Sequence, residues 1–136
     1  MTWHSGAMAF HAPTPILRMF DEAKAREFYV DFLGFQVDFE HRFEPGTPLY
    51  MGISRGACKL HLSEHHGDGS PGANIRIPVD ELEDYQQSLL AKHYKYYRPG
   101  IENTPWNTRE MTVQDGFGNT LVFFRDLPRH QTTETP

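Results

Sequence analysis

Cysteine is almost missing from this chain: Cys58 is the only one among 136 residues. A lone thiol excludes an intrachain disulfide and leads to the expectation of a reducing, cytoplasmic setting. Long apolar runs are missing too, for nothing approaches the ~18 residues that a membrane helix needs. Met1 to Pro13 lacks the apolar stretch of a signal peptide, so neither export nor a membrane partner is expected. Basic blocks are absent. The 13 Lys and Arg stand against 18 Asp and Glu, for a net charge of −5. That argues against nucleic acid as a partner, because phosphate binding needs clustered positive charge. The acidic balance favours a cationic ligand weakly and serves solubility equally well. Also lacking are a Ser-His-Asp set, a phosphate-cradling Gly loop and a reactive setting for Cys58, so no catalytic residue is assigned.

What is present reads as one α+β domain. Residues 1–13 show no period and read as a flexible arm. The domain is expected at 14–127, with a frayed tail at 128–136. Pro15 to Phe20 suits a strand. Asp21 then offers an N-cap, Ala25, Phe28, Tyr29 and Phe32 recur at helical spacing, and Gly34 stands where a helix-ending glycine belongs. From Phe35 the period becomes two, with Phe35, Val37, Phe39, His41 and Phe43 on one face. Leu49 to Ser54 and Cys58 to Ser63 read as a hairpin around Arg55-Gly56. The same order then restarts: a strand at Ala73 to Ile77, a capping-box pattern at Asp80 and Glu83, and a helical stripe of Leu82, Tyr85 and Leu89. Strand candidates follow at Tyr94 to Tyr97, Arg109 to Gln114 and Thr120 to Phe124. Asp21-Glu22 and Asp80-Glu81 lie 59 positions apart. This spacing predicts two βαβββ modules curled around a shared cleft.

Particular strings carry a resemblance. Pro15-Ile-Leu-Arg-Met-Phe-Asp21, Phe28-Tyr29 and Leu33-Gly34-Phe35 resemble the opening module of the glyoxalase/bleomycin-resistance/dioxygenase (vicinal oxygen chelate) superfamily. Pro105-Trp106-Asn107-Thr108-Arg109-Glu110 and Asp115-Gly116-Phe117-Gly118-Asn119 are similar to signatures of its bleomycin-resistance branch. This chain departs at Asn107, where Gly is usual, and at Gly116, where Pro is usual. The resemblance implies a dimer whose N-terminal strands exchange near Pro15, with two grooves lined by aromatics of both subunits. It further implies capture of a planar, cationic antibiotic or metabolite without chemical turnover, and no cofactor. Metal-dependent members of the superfamily take their ligands from positions that fall here at Thr14, His61, Asn74 and Val122. A catalytic metal needs about three protein ligands, and a valine supplies none, so the metal is expected to be lost.

The candidate ligand-binding residues are Phe39, Phe43, His61, Ser63, Trp106, Arg109 and Glu110. Each has a plainer reading beside it. Trp106 is either a groove wall or a loop ring packed on its own domain, and Phe39 and Phe43 are either the opposite wall or core. Arg109 and Glu110 alternate along a strand, so one faces the cavity unless both serve a cross-strand ion pair. His61, His65 and His66 leave open a second function, a metal-dependent lyase, isomerase or thiol transferase with a relocated site near His61.

Overall fold

The computed structural model describes residues 8–128. Residues 1–7 of the expected arm and 129–136 of the expected tail lie outside them. The order βαβββ occurs twice: β1 (Ile16–Arg18), α1 (Glu22–Ala25, continuing as π-helical turns over Arg26–Phe32), β2 (Gln36–His41), β3 (Tyr50–Arg55) and β4 (Cys58–Ser63), then β5 (Asn74–Pro78), α2 (Leu82–Leu90), β6 (Ile101–Asn103), β7 (Thr108–Gln114) and β8 (Thr120–Asp126). Two four-stranded sheets result, ordered β1-β4-β3-β2 and β5-β8-β7-β6. In each, the outer strand that opens the module pairs in parallel with the module's last strand. No described helix is long and apolar enough to cross a membrane.

Local chemistry explains most of the boundaries. Asp21 accepts a hydrogen bond from the Lys24 amide at 3.0 Å and so caps α1. Glu22 and Arg26 pair one turn apart at 2.8 Å. Further on the turns widen, with the Leu33 amide reaching back five residues to the Phe28 carbonyl at 2.9 Å, and the segment ends at Gly34. α2 buries Leu82, Tyr85 and Leu89, the stripe read from the sequence.

Two expectations for the second module fail. The capping box at Asp80 does not form. The N-cap is Glu81, which makes no side-chain bond there, while the Glu83 carboxylate receives Arg125 at 2.7 Å and contacts Arg109 at 3.0 Å. The bond from Arg125 pulls the Glu83 carboxyl down to about 2. Tyr94 to Tyr97 is a turn rather than a strand. The Tyr94 ring stacks on Phe32 at 4.4 Å and its hydroxyl donates to Glu27, while the Tyr97 hydroxyl accepts the Gln114 amide. These tyrosines spend their contacts on bridging elements, and β6 forms later, on a polar segment with no strand pattern.

Both sheets turn one face to a common core. Leu17, Met51, Ile53, Leu60 and Leu62 from the first sheet meet Ala25, Phe28, Tyr29 and Phe32, and Met111, Val113, Leu121 and Phe123 from the second meet α2. The modules are tied by a buried carboxylate. Asp115 accepts the Tyr29 hydroxyl at 2.7 Å, the Asn119 side-chain amide at 2.7 Å, and the Phe117 and Asn119 backbone amides at 2.8 and 3.1 Å. Burial and the Asp115 charge push the Tyr29 phenol well up, so it stays a donor.

The sheet faces away from this core carry most of the candidate residues; Arg109 is the exception. Strand β2 decides which. Val37 lies opposite Ile53, but Phe39 lies opposite Gly52, so Asp38 forms a one-residue bulge, with Gln36 bonded to its carboxylate at 3.1 Å. The bulge breaks the alternation expected from Phe35 to Phe43. Phe35 and Val37 keep to the core side, whereas Phe39 and His41 move to the open side with Tyr50 and His61. Glu40 takes the helix side and pairs with Arg26 at 2.8 Å.

Two outcomes follow. Tyr29→Phe removes one buried bond to a charged acceptor and should lower stability by about 1.5–3 kcal/mol in urea unfolding; an unchanged midpoint would remove Asp115 as the tie between modules. A Cβ added at Gly52 would lie 2.2 Å from Phe39 Cε2, so Gly52→Ala should swing that ring off His61 while leaving the fold intact. His61 ring-proton shifts should then move in the same direction as in Phe39→Ala. Unmoved resonances would contradict the packing of Phe39 over the glycine.

Candidate functional site

The open face of the first sheet gathers Phe39, Tyr50 and His61. The Phe39 ring meets His61 edge-on at 5.2 Å and stacks with Tyr50 at 6.3 Å. The Tyr50 hydroxyl and His61 Nδ1 are 2.7 Å apart. Burial, followed by the charge of Asp68, raises the Tyr50 phenol above its ordinary value. Phe39 remains 43% exposed and Phe43, beyond the strand beside His41, 79% exposed. Neither is core. Tyr50 escaped the list drawn from the sequence, although it stands two places from Gly52 and so shares its face.

Ser63 behaves otherwise. It is fully buried, donates to Asp68 at 2.9 Å and accepts the His65 amide at 3.0 Å, and so closes the turn that follows β4. That turn shuts Ser63 away from the exposed rings.

The second sheet carries the other cluster. Trp106 lies in the β6–β7 turn, 63% exposed, with its Nε1 donating to Glu110 Oε2 at 3.1 Å. The same oxygen accepts Thr108 Oγ1 at 2.8 Å and Arg76 Nη2 at 2.8 Å. Arg76 also lies over the Phe124 ring, 4.3 Å from its centroid. The Arg76 bond, working against burial and helped by Thr108 and Trp106, holds the Glu110 carboxyl below its ordinary value. Arg109, one residue away, points to the helix side and Glu83. Strand alternation thus divides the pair, with Glu110 on the open side. Arg76 and Phe124 had no motif to mark them and emerge only from the β5-β8-β7 register.

The departures in the signature strings now have a backbone reason. Asn107 has φ +69°, and its side-chain amide bonds the Leu127 carbonyl at 3.1 Å. Asparagine is the residue after glycine that best tolerates this region. Gly116 has φ +85°, a value closed to the usual proline, whose ring fixes φ near −65°. The β7–β8 turn therefore takes a path that a proline would forbid.

A divalent metal at the superfamily's positions does not fit the residues here. Thr14 lies exposed before β1, Val122 offers no donor atom, and His61 sits on the other sheet from Asn74 and Val122 with Nδ1 engaged by Tyr50. Among the described residues, no three His, Cys, Asp or Glu side chains converge as metal ligands. The two aromatic clusters stay apart as well. They occupy different sheets, and among the described residues no hydrogen bond or ring contact links them.

Comparison with known proteins fits this architecture. Similar solved structures include a bleomycin-binding protein from bleomycin-producing Streptomyces verticillus complexed with copper(II)-bleomycin, with 24% identity, a TM-score of 0.63, and 90% of this chain and 99% of that one covered. A bleomycin resistance determinant encoded on the transposon Tn5 shares 22% identity, with 86% and 98% covered and a TM-score of 0.66. A glyoxalase-related enzyme from Clostridium phytofermentans shares 16%, with 90% and 100% covered and a TM-score of 0.66. At these identities the likeness establishes the fold. No curated protein matches the sequence. The sequence model described as glyoxalase superfamily protein matches residues 1–128, and the chain belongs to that superfamily.

Proposed function

We propose that this protein captures a planar, cationic small molecule, bleomycin or a metabolite of similar shape, without turning it over. The observation that carries this reading is the state of Trp106. Its indole edge is tied to the buried Glu110 while the residue stays 63% exposed, a flat apolar surface held in one orientation. Such a surface binds flat rings at low entropic cost. Phe39 and Phe43, with His61 below them, offer a second aromatic wall on the other sheet. The net charge of −5 favours a cation. That a solved structure of the same fold is a bleomycin-binding protein complexed with copper(II)-bleomycin supports a binding role. A metal-dependent reaction near His61 has no comparable support.

Because each wall stands on its own sheet and neither encloses a ligand, the reading includes a homodimer in which the first sheet of one protomer faces the second sheet of its partner. Sedimentation at micromolar concentration should give a mass twice 15.7 kDa, and a sharp monomer would overturn the paired groove. In calorimetry with bleomycin, Trp106→Ala should weaken binding at least tenfold, about 1.4 kcal/mol, with little change in melting because the ring is not core. Unaltered affinity, or an unfolded variant, would remove Trp106 from the ligand site.

A further inference from the structure

Glu110 holds its two oxygens in different states. The side chain is only 9% exposed, and Oε2 takes all three protein donors: Arg76, Thr108 and Trp106. Oε1 takes none. Nor is Oε1 among the fully sealed side-chain atoms that lack a hydrogen bond in the described residues. An ionised carboxylate accepts about four hydrogen bonds, so the capacity left over is concentrated on one oxygen, which is not sealed from solvent and belongs to the same carboxylate that holds the Trp106 indole edge. Arg76 is anchored twice, on Phe124 and on Oε2, and balances the charge of Glu110. What the site offers a ligand is therefore an acceptor atom in a fixed place, with little net charge.

We propose that Glu110 Oε1 selects the ligand: a planar ring stacked on Trp106 that carries an N–H donor on its edge, as in a primary amide, an amidine or a protonated amine. This rests on the groove-wall reading of Trp106 and adds the chemistry that the groove reads. A ring without a donor leaves Oε1 unpaired once water is displaced, and an unmet buried acceptor is costly where an extra apolar group is nearly neutral.

The test uses the full-length protein and two probes of equal ring area, quinoline-3-carboxamide and its N,N-dimethyl derivative. Wild type should bind the primary amide at least tenfold more tightly. In Glu110→Gln the three donors hold the amide oxygen in the place of Oε2, so an NH2 group replaces the free acceptor. The preference should vanish or reverse, with melting temperature and Trp106 emission close to wild type. Equal binding of both probes by wild type would overturn the selection by Glu110 and leave the capture of flat rings standing. Binding of neither probe at millimolar concentration would overturn both. The wild-type ratio decides the matter even if Glu110→Gln fails to fold.

Discussion

The carboxylate of Asp115 is the point on which both modules turn. It sits in the β7–β8 turn of the second module and accepts the hydroxyl of Tyr29 from the helix of the first. Asn119, bonded to the same carboxylate, hands its amide on to the Arg18 carbonyl at the end of β1 at 2.8 Å. One buried anion thereby fixes α1, β1 and the last hairpin against each other. Such an anion is tolerable in a core only when its lone pairs are filled, and here four donors fill them. With the modules locked through their helix sides, each sheet is left with its far face uncovered. The candidate sites exist because the core is closed from one side only.

The sequence was legible wherever local chemistry and packing agreed. The hairpin around Gly56, the stripe of α2 and the β-α-β-β-β order follow from periods and turns that the tertiary structure has no reason to override. It was misleading where a long-range partner outbid a local one. Glu83 gives up a helix cap for two arginines, and the tyrosines after α2 serve Phe32, Glu27 and Gln114 instead of a ladder.

For the candidate site, Trp106 and Glu110 stood out by motif, but their mutual bond did not, because it depends on a turn whose shape is set by Asn107. The choice between Arg109 and Glu110 needed the strand register, which no period of two can supply without a reference face. Ser63 matched by position and then turned out to be consumed by its own turn. Arg76 and Phe124 carry as much of the second cluster as the motif residues do, yet they belong to strands whose sequences announce only a sheet.

The bulge at Asp38 has a consequence for how the proposed aromatic wall could diversify. Strand β2 carries an aromatic pair, Phe39 and His41, on its open side, interleaved with an acidic pair of which Asp38 lies in the bulge and Glu40 on the helix side. Sliding the one extra residue to the far end of the strand would bring the acidic pair to the open side and send the aromatic pair inward, with no change in amino-acid content. What holds the present choice is the bare backbone at Gly52 beneath the Phe39 ring and the grip of Arg26 on Glu40. On the proposed reading, ligand preference on this side would be stored as a register, governed by residues that no ligand need touch.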